Sequence, residues 1–319
     1  MTEPTHYALA LVVMSRLQIL HSTTYRYRKP VAFGEHRLMM RPRESYDQHV
    51  LVSHLHATPA PSELRQVHDV FGNCVAIARF EGKSDTLCFE SRVLLEHTPV
   101  PLRLDCDEAI HSGRASLPFA YDSEDMPDLH RSMERGFPDP DHAVETWVRR
   151  FVKWNGRTFV LPLLSEMTRA IHSEFTYAQR LEGAAQTPAQ TLALRSGTCR
   201  DFAVLMMEAA RSLGLAAHFV SGYIYVPPPE NPAHPGGRRM GGGHTHAWSQ
   251  VYLPSCGWVE FDPTNGIIGN SDLIRVATVR NPRQATPLWG SWEGEAGDYL
   301  GMTVEVDLTM EPERDLDVA

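Results

Sequence analysis

Cys199 is the residue of this chain best placed to act as a nucleophile. It follows the loop Ser196-Gly197-Thr198 and opens a stretch with helical periodicity that ends near Leu213. The reactive form of a cysteine is the thiolate, which the positive end of a helix dipole stabilises. The free N–H groups of a first helical turn could also supply part of an oxyanion hole. We therefore treat Cys199 as a candidate nucleophile.

A cysteine nucleophile needs a base, and His246 and Asp262 lie where a base and its orienting acid could meet. His246 begins one predicted strand and Asp262 ends the next, with a turn at 254–257 between them. If the two strands pair as a hairpin, Asp262 lands opposite or diagonal to His246. The two side chains share a face only if the loop holds an odd number of residues, and the sequence leaves this register open.

The order Cys, His, acid resembles the papain-like arrangement, and longer motifs narrow the resemblance to the bacterial transglutaminase-like family. Four runs carry it: GTCRDFA at 197–203, GLAAHFVSGY at 214–223, HAW at 246–248 and WVEFDPT at 258–264. In that family the cysteine of G-x-C-R-D, the histidine of H-A-W and the aspartate of F-D-P-T form the catalytic triad. The resemblance places these roles on Cys199, His246 and Asp262.

The resemblance covers most of the chain, with one departure near the C-terminal end. Residues 17–97 resemble the β-rich N-terminal domain that is often joined to this core. Relatives tend to carry an acidic R-D-Y type stretch before a P-x-x-G, whereas this chain reads Arg280-Asn281-Pro282 and keeps Pro287 and Gly290. A role of that stretch in lining the site is therefore in question, while the triad is intact.

The elements that must position these residues indicate an α+β fold in three segments. Residues 15–97 predict a β-rich, sandwich-like domain with strands at 17–28, 36–43, 49–57, 75–80 and 86–96. A turn is expected at 71–73. Residues 98–138, rich in Pro, Asp and Ser, predict a connecting segment without regular structure. Residues 139–310 predict a papain-like, transglutaminase-like catalytic core.

Four helices and a β-type half are expected within the core. The helices are predicted from the Asp139-Pro140 cap, over 164–175, from Thr187-Pro188 to Gly197, and over 199–213. The strand at 215–226 precedes a Pro- and Gly-rich loop at 227–243, which is long enough to be functional. We also expect Arg200 and Asp201 to form a structural ion pair. Tyr177 could assist an oxyanion site, although core packing is the more common role.

Composition excludes several other classes of function. The net charge of −9 argues against general binding to nucleic acid or to an anionic membrane. Five cysteines, an odd number without metal-type spacing, fit reduced thiols in the cytoplasm, and residues 1–14 lack an export signal. His244 and His246 alone are too few ligands for zinc. No P-loop or dinucleotide fingerprint is found, so we expect neither a cofactor nor a metal.

The expected function is that of a cysteine-nucleophile enzyme acting on a protein or peptide substrate. Cys199 would attack a peptide or glutaminyl amide carbonyl to give a thioacyl intermediate, and hydrolysis would make the protein a protease or amidase. Transfer of the acyl group to an amine would instead make it a cross-linking transglutaminase. A non-catalytic binding module with a relic core is the alternative from another class. The sequence leaves the oligomeric state open.

Overall fold

The N-terminal part of the chain forms one curled antiparallel sheet. The computed structural model describes residues 14–102, 108–112, 119–153, 156–180, 183–227 and 240–311. Its first five strands are β1 (Ser15–Leu38), β2 (Gln48–Thr58), β3 (Glu63–His68), β4 (Cys74–Arg79) and β5 (Lys83–His97). They lie in the order β2-β5-β1-β4-β3 and enclose buried apolar side chains, among them Phe33, Leu87 and Phe89.

The strands agree with the predicted β-rich module, with two differences. β1 is a single strand of 24 residues that takes in both the predicted strand at 17–28 and the start of the one at 36–43. β3, which is mostly exposed, had no predicted counterpart because it lacks the alternation of buried and exposed residues that marks a half-buried strand. The predicted turn at 71–73 joins β3 to β4.

The segment expected to connect the two parts contains regular structure in its described residues. β6 (Ala109–Ser112) pairs with β7 (Gly156–Phe159), and α1 spans Met126–Met133. The prediction that this segment lacks such elements is therefore wrong. α1 is only eight residues long, and its apolar stripe of Met126, Leu129 and Met133 is too short to stand out among the surrounding polar residues.

The core places four helices against a second antiparallel sheet. The helices are α2 (Ala143–Arg149), α3 (Val160–Glu174), α4 (Pro188–Leu194) and α5 (Cys199–Ser212), and β8 (Thr176–Tyr177) pairs with β9 (Ser196–Gly197) between them. The sheet holds β10 (Ala217–Ile224), β11 (His246–Leu253), β12 (Gly257–Asp262), β13 (Ile267–Ile268) and β14 (Leu273–Val279) in the order β13-β12-β11-β10-β14. This is the α+β arrangement expected from the sequence.

Two helix ends differ from their predicted positions. α2 begins at Ala143 rather than at Pro140, and the Asp139 carboxylate still caps it by accepting hydrogen bonds from the N–H groups of Ala143 and Val144 at 2.9 and 3.1 Å. α4 ends at Leu194 because Arg195 takes a left-handed backbone conformation with φ of 48°. α5, in contrast, begins at Cys199 as predicted.

α5 is the central helix of the core and is buried almost all round. Its apolar side chains, including Phe202, Leu205 and Met206, have less than 3% of their surface exposed. Full burial of each such side chain contributes roughly 1.5–3 kcal/mol. The same helix buries Glu208 and Arg211 as a hydrogen-bonded ion pair at 2.9 Å. The helix end that carries Cys199 is thereby fixed within the core.

The N-terminal sheet packs directly on the core sheet. Leu17 and Ile19 of β1 share a buried cluster with Tyr223 of β10 and Ile274 of β14. A charged network crosses the same contact: Arg275 donates to Glu260 at 2.6 Å and also pairs with Asp47 of the N-terminal part. All three charged side chains are largely buried. Apolar packing and paired charges therefore both hold the two parts together.

The last strands return to the first sheet. After a 3₁₀-helix at Pro282–Ala285, β15 (Leu288–Glu293) pairs with β1, and after a second at Ala296–Asp298, β16 (Tyr299–Met310) does the same. β16 runs antiparallel to β1 from Leu17–Met310 to Tyr27–Tyr299. The first and the last strands of the described residues thus belong to the same sheet. The core boundary predicted at residue 310 stays a prediction.

The cysteines do not all carry free thiols. Cys74, Cys88 and Cys199 are free, whereas Cys256 is disulfide-bonded. The expectation of reduced thiols throughout is therefore wrong. Disulfides are rare in cytosolic proteins, and the cytoplasmic location that the sequence suggested stays a prediction.

Candidate active site

Cys199 stands at the first turn of α5, and a buried carboxylate fixes the backbone in front of it. Asp201 accepts hydrogen bonds from the N–H and the hydroxyl of Thr198 at 2.7 and 3.0 Å. The same carboxylate accepts from Arg180 at 3.0 Å and from the N–H of Gln186 at 2.7 Å. Cys199 itself is 7% exposed. The thiol is therefore held at a rigid helix start, at the edge of a cleft.

The expected ion pair between Arg200 and Asp201 is not formed. Arg200 donates instead to the carbonyls of Arg180 and Gly183 at 2.8 and 3.0 Å. Adjacent residues on a helix point about 100° apart, so neighbours in sequence do not face each other. Asp201 turns inward to cap the helix, and Arg180 is its cationic partner.

β11 and β12 meet the condition that would bring His246 and Asp262 together. Their register pairs Leu253 with Gly257 and Tyr252 with Trp258, which leaves three loop residues, an odd number. Both side chains therefore share one face, with Asp262 diagonal to His246. His246 Nε2 donates to Asp262 Oδ2 at 2.8 Å, and both side chains are completely buried.

Asn265 is a site residue that the sequence reasoning missed. Its Nδ2 donates to Asp262 Oδ2 at 2.8 Å, while the N–H of Thr264 donates to Oδ1 at 2.9 Å. Asn265 also exchanges hydrogen bonds with the backbone of Met240, at 2.6 and 3.1 Å. It thus links the carboxylate to the end of the loop before β11. In the sequence, only its position three residues after Asp262 could have indicated that Asn265 contacts this carboxylate.

The electrostatics of the buried pair favour a charged histidine. Burial lowers the pKa of His246, but the Asp262 carboxylate, by its charge and hydrogen bond, and the nearby Cys199 raise it to about 10. Burial acts to raise the pKa of Asp262, but the facing His246 and the hydrogen bonds from Asn265 and Thr264 hold it below its ordinary value. An imidazolium and a carboxylate are therefore the stable forms near neutral pH.

Two close backbone approaches hold the histidine ring in place. Trp248 lies nearly parallel to it, with ring centroids 6.0 Å apart, and Gly222 leaves room for that indole because a Cβ there would lie 2.7 Å from it. Gly241, with φ of 96°, lets the chain pass the other ring nitrogen, since a Cβ there would lie 2.5 Å from Nδ1. Among the described residues Nδ1 makes no hydrogen bond.

Cys199 and His246 line one cleft of about 600 Å³ that both sheets help to enclose. The N-terminal sheet contributes residues of β1 and β16, namely His21, Thr23, Tyr25, Met302 and Val304. Tyr177 lies in the cleft as well, and burial, followed by the charge of Cys199, raises its pKa to about 12. Tyr177 therefore keeps a proton that it can donate into the cleft.

His21 is an uncharged polar residue in the part of the cleft wall that the N-terminal sheet builds. Burial lowers its pKa to about 4, so the ring is uncharged near neutral pH. Its nitrogens contact the hydroxyls of Tyr223 and Thr23 at 2.9 and 3.1 Å. No sequence pattern placed a residue of the first strand in the same cleft as Cys199, because His21 and Cys199 are 178 positions apart.

The family matches cover more than half of the chain. Residues 17–96 match the bacterial transglutaminase-like N-terminal region, and residues 145–263 match the transglutaminase-like superfamily. The chain belongs to the transglutaminase-like superfamily. The second match includes Cys199, His246 and Asp262, and the fold class expected from the resemblance is confirmed.

Relatives of this transglutaminase-like protein match about nine-tenths of its length. Uncharacterized protein Rv2569c of Mycobacterium tuberculosis is 27% identical over 296 residues, covering 91% of each chain. Uncharacterized protein ML0607 of Mycobacterium leprae is 25% identical over 297 residues, covering 92% of this chain and 99% of the relative. The crystal structure of a candidate cysteine protease from Cytophaga hutchinsonii superposes with a TM-score of 0.65, at 19% identity, covering 95% of this chain and 92% of that one. That likeness establishes a shared fold.

Within the residues that the structure describes, no helix has the length and apolar character needed to cross a bilayer.

Proposed function

We propose that this transglutaminase-like protein is an enzyme that cleaves peptide or glutaminyl amide bonds with Cys199 as nucleophile, His246 as base and Asp262 as the residue that orients the histidine. One observation carries the proposal: the buried hydrogen bond of 2.8 Å between His246 and Asp262 lies in the wall of the cleft that Cys199 lines. A hydrogen-bonded acid and base beside a cysteine at a helix start is the arrangement that activates a thiol.

The proposed first half-reaction forms a thioacyl enzyme. His246 takes the proton of Cys199, and the raised pKa of the histidine keeps that proton on the ring. The thiolate attacks the amide carbonyl, and a new C–S bond forms. The C–N bond then breaks as the imidazolium of His246 gives its proton to the departing amine. The N–H groups at the start of α5 face developing negative charge on the carbonyl oxygen.

Hydrolysis completes the proposed cycle. His246 accepts a proton from water, the resulting hydroxide attacks the thioester carbonyl, and the C–S bond breaks to release a carboxylic acid and regenerate the thiol. The Cytophaga protein of the same fold is described as a candidate cysteine protease, in agreement with hydrolysis. Attack by a primary amine instead of water would give the cross-linking reaction of a transglutaminase.

The rate at which iodoacetamide alkylates Cys199 tests the activated pair. At pH 6 a free thiol with a pKa of about 8.5 is almost wholly protonated, so an unactivated cysteine reacts slowly there. We expect the parent protein to react rapidly at pH 6 and the His246→Ala variant to react like a free thiol. Peptide mapping by mass spectrometry separates Cys199 from the free thiols of Cys74 and Cys88. Equal, slow rates in both proteins would favour the non-catalytic binding module.

The acyl acceptor is then identified with a peptide library in the presence and absence of a fluorescent primary amine. New carboxyl termini or deamidated glutamines would support hydrolysis. Stable incorporation of the amine at glutamine, without cleavage, would assign the cross-linking reaction instead.

A further inference from the structure

The charge of the cleft is opposite to the charge of the protein. The chain carries a net charge of −9. Three arginines line the cleft, Arg180, Arg200 and Arg283, and among the described residues no Asp or Glu side chain lines it. A concave surface of one sign concentrates ligands of the opposite sign. The cleft is therefore suited to a negatively charged substrate.

The three cleft arginines differ in how their charge is used within the protein. Arg180 is paired with Asp201 at 3.0 Å. Arg200 donates to two backbone carbonyls, which hold it in place. The guanidinium of Arg283 has no carboxylate within 4.0 Å among the described residues, and the side chain is exposed. Arg283 is thus the cleft cation that remains available to a ligand.

Arg283 also lines a second cavity, of about 390 Å³, which shares Gly136 and Asn281 with the cleft. Four arginines line this cavity: Arg135, Arg211, Arg280 and Arg283. Arg211 is neutralised by Glu208 at 2.9 Å, and Arg135 by Asp139 and Glu145 at 3.1 and 3.3 Å.

The other charged side chain at this cavity does not neutralise the remaining arginines. Glu134 is the carboxylate in its lining and is paired with Arg131 at 2.9 Å. Arg280, like Arg283, has no ion-pair partner among the described residues. Two guanidinium groups without an ion-pair partner among the described residues therefore line this second cavity.

Resting on the proposed function, we propose that the substrates are acidic peptides and that Arg283, assisted by Arg280, determines this specificity by binding a carboxylate side chain near the amide that Cys199 attacks. Arginine suits this role because its planar fork of N–H donors matches a carboxylate. Because Arg283 lines both the cleft and the neighbouring cavity, it is placed to contact a peptide side chain that lies between them.

Asn281 allows the charge of this wall to be changed without disturbing its backbone. Its side chain caps the 3₁₀-helix Pro282–Ala285 by accepting a hydrogen bond from the N–H of Arg283 at 3.1 Å, and it lines both cavities. Asp is as good an N-cap as Asn. Asn281→Asp therefore keeps the cap and adds one negative charge beside Arg283.

The test compares alkylation of Cys199 by iodoacetate, an anion, with alkylation by iodoacetamide, its neutral analogue of similar size. Four proteins are measured at the same pH: the parent, Arg283→Gln, Asn281→Asp and Arg169→Gln. The last is a control that makes the same change of charge outside the cleft. An imidazolium beside the thiolate favours iodoacetate in all four proteins, so the change between variants is the readout. We expect the iodoacetate-to-iodoacetamide rate ratio to fall about three- to fivefold in Arg283→Gln and in Asn281→Asp, and to stay unchanged in the control.

A peptide pair connects the result to the substrate. The C-terminally amidated, acetylated peptides Ala-Glu-Glu-Ala and Ala-Gln-Gln-Ala compete with iodoacetamide for the parent protein. We expect the Glu peptide to protect Cys199 at lower concentration, and the advantage to shrink in Arg283→Gln and at about 1 M salt. Equal protection by the two peptides, or none by either, would overturn the assignment of an acidic substrate.

The two proposals fail in different ways. If Cys199 reacts with both reagents only as fast as a free thiol, the proposed function fails. If Cys199 is highly reactive but the rate ratio is the same in all four proteins, the function stands and the acidic specificity is wrong.

Discussion

Replacing Asp262 by Asn removes the charge that keeps the proton on His246 while conserving the size of the side chain. The amide oxygen can still accept the hydrogen bond from the N–H of Thr264. Burial, which lowers the pKa of His246, is then opposed only by Cys199. Because burial then dominates, the pKa of His246 should fall from about 10 to below its ordinary value of 6.5, so the preference for the imidazolium drops by about 5 kcal/mol or more and the ring is largely uncharged at pH 6.

The loss of activated thiolate sets the size of the effect. A free thiol with a pKa of about 8.5 is only about 0.3% ionised at pH 6, and this fraction sets the lower limit of the alkylation rate once the histidine is uncharged. The alkylation rate at pH 6 is therefore expected to fall by up to about 300-fold. At pH 9.5, where a free thiol is itself ionised, the two proteins should differ by less than about tenfold.

The assay is the rate of iodoacetamide labelling of Cys199 from pH 5 to 10, with Asp122→Asn as control. That residue is exposed, and the substitution makes the same change of charge outside the cleft. Circular dichroism and urea unfolding confirm that each variant is folded. A rate at pH 6 within about threefold of the parent would refute the reasoning, because Asp262 would then not be the group that keeps His246 charged.

Further expectations concern pH and stability. The value of kcat/KM for amide hydrolysis should fall above pH 10 as His246 loses its proton, because a raised pKa extends the protonated form to high pH; a fall centred near pH 7 would contradict this. Gly222→Ala should lower the free energy of unfolding in urea by about 3 kcal/mol or more, because the new Cβ would lie 2.0 Å from the carbonyl oxygen of Ile274, whereas Gly297→Ala, with open space around it, should change it little. Arg275→Ala should cost about 3–5 kcal/mol in the same assay by leaving two buried carboxylates unpaired, and a cost below about 1 kcal/mol would show that this network is not stabilising.

The arrangement of the site could be predicted from sequence where it depends on short-range geometry. Side chains alternate between the two faces of a strand. Whether His246 and Asp262 share a face therefore depended only on whether the loop between their strands holds an odd or an even number of residues. The structure answers it with three residues between Leu253 and Gly257. The start of α5 at Cys199 was predictable for the same reason, since loop residues give way to helical periodicity at that position.

Contacts between distant parts of the chain could not be predicted in this way. The wall of the cleft at His21 and Met302 depends on the pairing of β1 with β16, whose residues lie almost 300 positions apart. No short sequence pattern indicates that strands so far apart in the chain will pair. The predicted ion-pair partner of Asp201 was wrong for a related reason. The observed partner, Arg180, lies 21 positions away, whereas the prediction chose the adjacent Arg200.

The return of β16 to β1 also orders events during synthesis of the chain. Tyr299–Met310 must leave the ribosome before the first strand gains its partner along Leu17–Tyr27, although Cys199, His246 and Asp262 have been made well before. Met302 and Val304, which close one side of the cleft, arrive last. The nascent protein therefore contains all three proposed catalytic residues while the cleft beside them is still incomplete. The cleft is complete only after β16 has been translated and has paired with β1.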